Sequence, residues 1–130
     1  MIETVEIDRS VSLLRANLSK TARVSEWADL MGYSCPKMFA RNFLRYYAAC
    51  PQKILEYVRV KSITRQLREG KWSNFEIARA HGISDEIALN KFVNYHLGCS
   101  PTCVKNLSDI QLRKILQEMY GKMIVLEIST

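Results

Sequence analysis

The chain states one pattern twice, fifty residues apart, and this repetition restricts its fold more than any other feature. Glu76–Pro101 (EIARAHGISDEIALNKFVNYHLGCSP) is echoed by Glu26–Pro51 (EWADLMGYSCPKMFARNFLRYYAACP), with Glu, Ala, Gly, Ser and Pro at matching places. Between those anchors Trp27 answers Ile77, Phe39 answers Leu89, Phe43 answers Val93, Tyr47 answers Leu97 and Arg41 answers Lys91. Each copy reads as helix, turn, helix. A glycine at the turn suits the left-handed conformation that ends a helix. Two copies with no third argue for a paired module, because stacked repeats need about three units to be stable.

Along the first copy, Val24, Trp27, Ala28 and Met31 mark an amphipathic helix that stops at Gly32, and small Ala28 lets the next helix approach. Tyr33 and Ser34 make the turn. The second helix runs from Cys35 to Ala48, with Pro36 in its first turn, where a missing N–H costs nothing. Phe39, Phe43 and Tyr47 recur every four residues as its buried face, with Tyr46 read beside them. Lys37, Arg41 and Arg45 recur at the same spacing on another face. Pro51 opens a long connector to about Glu69, before Gly70. Some 18 helical residues span roughly 27 Å, near the ~34 Å between successive major-groove faces of a duplex. In the second copy Ser73 and Glu76 form a capping-box pattern, and Ser84 is placed to cap the helix after the turn. Leu89, Phe92, Val93 and Leu97 face inward there, leaving Glu86, Ile87, Asn90, Lys91 and Asn94 outward.

Charge is concentrated where a partner would need it. The protein carries +6, and the segment from Cys35 to Arg68 alone holds eight basic residues against Glu56. A basic stripe on a helix-turn-helix points to a polyanion. At 130 residues there is room for one domain with a real core, or two very small lobes. No apolar run approaches the ~18 residues of a membrane span, and MIETVEID has no signal-peptide character. Four dispersed cysteines fit a reduced, cytoplasmic protein better than a disulfide scaffold.

The ends fall outside the repeat. Val11–Leu18 reads as a short helix, and Ser108 caps another with Leu112, Ile115, Leu116 and Met119 on one face, ending at Gly121. Met123–Ile128 (MIVLEI) is a strand signal, and so, weakly, is the alternation over residues 1–8. Pairing Met123–Ile128 with Glu3–Ile7, within one chain or between two, would cover an exposed edge and offers a route to a homodimer. The expected fold class is all-α. Two helix-turn-helix subdomains are joined by a long connector helix in a homeodomain-like bilobal arrangement, with short terminal β-strands. The domain spans 8–107 (first motif 24–48, connector 51–69, second motif 73–98), and 108–130 form a helix plus strand-like extension.

These residues resemble the DNA-binding domain of the AraC/XylS transcriptional regulators. Ile77-Ala78, Gly82-Ile83-Ser84-Asp85 and Gly98-Cys99-Ser100-Pro101 look like that family's I-A-x-x-x-G-F-S-D and G-x-S-P, and Arg59-Val60 running to Leu67 looks like its connector motif. The resemblance covers about Val11–Asn106. It departs at Ala88, where an aromatic or threonine is usual, and at Ala48, where glycine is. Cys35 reads as an additional residue in the first turn. The family implies a regulator, activator or repressor, that places two recognition helices in successive major grooves. Matched residue by residue, the base-reading positions fall on Lys37, Ala40 and Arg41, and on Glu86, Ile87, Asn90 and Lys91. Backbone contacts are expected from Ser34, Arg45, Lys53, Arg59, Lys61, Arg65, Ser84 and Asn94. Double-stranded DNA and RNA polymerase are the implied partners, with no membrane, no cofactor and no metal.

Other readings are weaker. His96, Cys99 and Cys103 have poor spacing for zinc without a second cysteine pair, and His81 and His96 read as structural. The P-C-H-R context of a methyl-acceptor cysteine, used by a DNA-repair version of this fold, is missing, so catalysis is not expected. The remaining alternative is a protein-interaction module that keeps the fold and has lost DNA reading, suggested by the cancelling charges of the second recognition helix.

Overall fold

Helix boundaries follow the punctuation of the sequence. The computed structural model describes residues 4–129, with 122 and 125–129 by backbone alone. In it α1 spans Ser10–Ala16, α2 Val24–Leu30, α3 Pro36–Tyr47, α4 Pro51–Glu69, α5 Asn74–Ala80, α6 Glu86–Leu97, α7 Pro101–Asn106 and α8 Asp109–Ser129. Short 3-10 turns at Ile7–Arg9 and Leu18–Lys20 flank α1. Proline opens α3, α4 and α7, where its fixed φ is already helical. Ser73 and Glu76 cap α5 reciprocally at 3.1 Å each way, and Ser108 and Gln111 do the same for α8.

The fifty-residue offset holds in three dimensions. It relates α2 to α5, α3 to α6, and the start of α4 to the start of α7. Both turns close alike: Tyr33 N–H donates to the Ala28 carbonyl at 2.9 Å, and Ile83 N–H to the Ala78 carbonyl at 2.8 Å. Cys35 has its counterpart in Asp85, each the N-cap of its helix. Relative to the second copy, then, the first turn contains no insertion.

Each copy buries the residues that the repeat aligns. Trp27, Phe39, Phe43 and Tyr47 in one lobe, and Ile77, Leu89, Val93 and Leu97 in the other, are at most 9% exposed. The first lobe is built on aromatic edges, with the Trp27 ring 5.1 Å from both Phe39 and Phe43. Tyr46 does not join them. It is 57% exposed, its ring set edge-on against Tyr47, because residue 46 sits 100° around the helix from 47. Helix α4 lies between the lobes and buries Ile54, Leu55, Tyr57, Val58, Val60, Ile63 and Leu67.

The lobes meet at the Leu18–Lys20 turn. Arg59, on α4, donates through Nη1 to the carbonyls of Leu18 (3.1 Å) and Thr21 (3.2 Å), and through Nη2 to the carbonyl of His81. Gly82 sits at φ +70 with no room for a side chain, since a Cβ there would lie 2.8 Å from the Ser19 carbonyl oxygen.

The terminal strands are not formed. Val5 N–H donates to the Met31 carbonyl at 2.8 Å, Ile7 opens a 3-10 turn, and Glu3 lies outside the described residues. Residues 123–128 continue α8 after a break at Tyr120 (φ −137, ψ 25). A short, mostly apolar run of this kind cannot be assigned to strand or helix by periodicity. Without a neighbouring strand, a helix satisfies the backbone locally, and Met123 and Ile124 pack against the core. No strand occurs among the described residues.

Candidate nucleic-acid interface

Because α3 and α6 each bury one face, the residues between the buried positions project outward together. On α3 these are Lys37, Arg41 and Arg45, all exposed, with Ala40 half-buried and no acidic residue on the helix. Met38, Leu44 and Tyr46 are exposed beside them, Leu44 at 53%. On α6 the outward residues are Glu86, Ile87, Asn90, Lys91 and Asn94. Ile87 is 68% exposed, and Tyr95, at the repeat position of Arg45, is 83% exposed. The exposure of Tyr95 and Leu44 follows from helical spacing, since they lie four residues beyond Lys91 and Ala40.

Ser34 and Ser84 are exposed at equivalent places, each one residue before the N-cap. Ser84 does not cap α6. Asp85 does, its Oδ1 accepting from Ala88 N–H at 2.8 Å. At the matching end of α3 the Met38 and Lys37 N–H groups draw the exposed Cys35 thiol below its ordinary pKa.

Several expected backbone contacts are engaged elsewhere. Arg59 is only 7% exposed and its guanidinium is committed to main-chain carbonyls inside the protein, so it is a clamp between lobes and cannot reach a phosphate. Lys61 and Arg65 line a cleft of about 800 Å³ with Arg15, Arg68, Leu112 and Leu116, and no residue of α3 or α6 lines it. Arg65 is 3.8 Å from Glu69. Arg68 is held by the Val104 and Leu107 carbonyls and by Asp109. Lys53 remains exposed, 3.5 Å from Glu56. Asn94 donates to the main-chain carbonyl and side-chain oxygen of Asn90.

Behind α6, a polar network ties the second lobe to the centre. The Glu56 carboxylate accepts from the Tyr120 hydroxyl at 3.1 Å and lies 3.7 Å from His96 Nδ1. Burial, more than Glu56, raises the Tyr120 pKa, and burial lowers that of His96. His81 is 2% exposed, its Nδ1 2.8 Å from the Ile77 carbonyl and its Nε2 2.8 Å from Ser62 Oγ. A carbonyl can only accept, so Nδ1 carries the proton and Nε2 takes the serine hydroxyl. Desolvation, reinforced by Arg59 and Arg65, holds this imidazole neutral. Burial and the neighbouring Cys103 push the Cys99 thiol up to about 11.

Among the described residues no cluster of three or more His, Cys, Asp or Glu is placed to hold a metal ion, and no helix is long and apolar enough to cross a membrane.

No protein-family model and no curated protein matches the chain in sequence. Solved structures match it in shape. The DNA-binding domain of AdpA, a global transcriptional factor in complex with a target DNA, superposes with TM-score 0.62 at 21% identity, over 91% of this chain and 98% of that one. An AraC-type transcriptional regulator from Chromobacterium violaceum gives 0.61 at 22%, over 76% of this chain and 88% of its own. The C-terminal domain of AraT, a response regulator from Geobacillus stearothermophilus, gives 0.65 at 16%, over 79% and 88%. The chain therefore has the fold of an AraC-type DNA-binding domain, two helix-turn-helix lobes mounted on one central helix.

Proposed function

We propose that the protein is a transcriptional regulator that binds duplex DNA sequence-specifically, with α3 and α6 in successive major grooves. The observation that carries this reading is the equivalent mounting of two exposed twelve-residue helices, one presenting Lys37, Arg41 and Arg45 with no acidic residue on the helix itself. Guanidinium and ammonium groups on such a face reach phosphates and the N7 and O6 of guanine. The likeness to a domain crystallised on its target DNA supports it.

In this reading Lys37, Ala40 and Arg41 face bases from α3, and Glu86, Ile87, Asn90 and Lys91 from α6. Ser34, Ser84, Arg45 and Lys53 approach the backbone. Binding alone is involved, with no chemical step. The setting is the bacterial cytoplasm, with RNA polymerase as the protein partner that would convert occupancy into regulation.

A salt titration of duplex binding tests the reading. Neutralising about six to ten phosphates costs 10³–10⁵ in affinity between 50 and 200 mM salt. One observation favours a second reading: α6 carries one acid and one base outward, beside the exposed Ile87 and Tyr95, as a protein-docking helix would. No salt-sensitive binding to any genomic duplex would select that alternative.

A further inference from the structure

The two reading helices are equivalent in backbone and unlike in chemistry. Through the fifty-residue offset, Lys37 is replaced by Ile87, Ala40 by Asn90, Arg41 by Lys91, Leu44 by Asn94 and Arg45 by Tyr95. Where α3 offers three cations, α6 offers a branched alkyl group, one cation and a phenol, and where α3 has Ala40 and Leu44 it offers two carboxamides.

Two of these groups have narrow complements in the major groove. Ile87 is 68% exposed and has no polar atom, so the one feature of a base edge that rewards it is the C5-methyl of thymine. Asn90 lies one turn further along the same face. Asn94 donates its amide to the Asn90 side-chain oxygen and main-chain carbonyl, the latter at 2.8 Å. That bond uses one lone pair of Oδ1 and fixes the carboxamide, leaving the other lone pair and the amide hydrogens for a partner. An acceptor beside a pair of donors is the complement of adenine N6 and N7.

We infer that α6 reads an A·T step through two of its four base-facing residues, with Asn90 on an adenine, Ile87 on a neighbouring thymine methyl and Asn94 as the residue that positions Asn90, while α3 takes a guanine-bearing half-site through Lys37 and Arg41. The operator is then composite, one half rich in G·C contacts and the other in A·T. This rests on the duplex-DNA reading above and adds to it the base identity under each lobe.

Sites selected from random duplexes supply the probe, and the half-site whose preference changes in Arg41→Ala marks the α3 side. Replacing thymine by deoxyuridine on the α6 side removes only methyl groups. It should weaken wild-type binding about threefold to fivefold, the worth of one buried carbon, and leave Ile87→Ala binding unchanged. Asn90→Ala should lose roughly tenfold or more of its preference for adenine at one position. Asn94→Ala should lose part of the same preference with thermal stability unchanged, and Asn94→Gln should restore some of it. Guanine selected at the position whose preference changes in Asn90→Ala, or uracil tolerated on the α6 side by the wild type, overturns the inference and leaves DNA binding standing. Absence of salt-sensitive duplex binding overturns the underlying reading instead, and is seen before any base is exchanged.

Discussion

The guanidinium of Arg59 donates to the main-chain carbonyl of His81, joining the connector to the turn of the second helix-turn-helix. The same group reaches the Leu18 and Thr21 carbonyls of the first lobe, so one side chain bridges both halves. Replacing it by methionine would leave three carbonyls short of a donor. Arg59→Met should cost about 2–4 kcal/mol. Arg59→Lys, which keeps the charge and loses the fork, should fall between. Urea denaturation checks the order, and a neutral Arg59→Met would contradict the clamp.

Helix α3 ends on Ala48 at φ 56, the one non-glycine with positive φ among the described residues, where α6 ends on Gly98 at φ 73. Ala48→Gly should therefore stabilise the protein by about 0.5–1 kcal/mol, since a Cβ is disfavoured in the left-handed region. Gly98→Ala should destabilise by roughly 1 kcal/mol through backbone strain alone, because nothing lies within 4 Å of the new methyl. Gly82→Ala adds a collision with the Ser19 carbonyl and should cost about 2–3 kcal/mol. Three thermal melts decide these signs and their ranking.

Mild acid should weaken the fold through its two histidines. Burial depresses the pKa of His81 and His96 below the ordinary 6.5. The unfolded chain thus takes up these protons first as pH drops, and stability falls with pH wherever the unfolded state binds more protons. The contribution is complete above pH 6.5 and declines below it. Urea midpoints at pH 7.5 and 5.5 should differ, and the difference should shrink in His81→Gln.

Thiol chemistry should separate the cysteines. Cys35 is exposed and drawn toward thiolate by helix N–H groups, while Cys99 is pushed up to about 11. Alkylation at pH 8 should label Cys35 first, as the thiolate is the nucleophile. Peptide mass spectrometry reads the sites. Because Cys35 stands at the head of α3, bound operator should slow its labelling and leave that of Cys50 as it was.

Arg41→Ala should cost about 1–3 kcal/mol of operator affinity and relax preference at one position. An unchanged selection profile would remove Arg41 from the readers.

The repeat made most of this legible. An offset of fifty carried helix limits, both glycine turns and all eight aligned core residues, because a duplicated backbone repeats the same burial at the same places. Arg59 misled because sequence shows charge and not location. On a connector covered from several sides, helical spacing does not separate an inward arginine from an outward one. Ser84 was misread as the cap because Asp85 beside it has the same capping chemistry. At the C-terminus, MIVLEI is β-prone by composition, and only its continuity with α8 made it helical.

The Leu18–Lys20 turn meets the second lobe through peptide oxygens: Leu18 and Thr21 accept from Arg59, and Ser19 limits residue 82. Side chains at 19 and 20 take no part in that seam. Both side chains are exposed, so a tag, crosslinker or fluorophore placed there would sit on the seam between the lobes while leaving α4, the helix on which both reading heads are mounted, untouched.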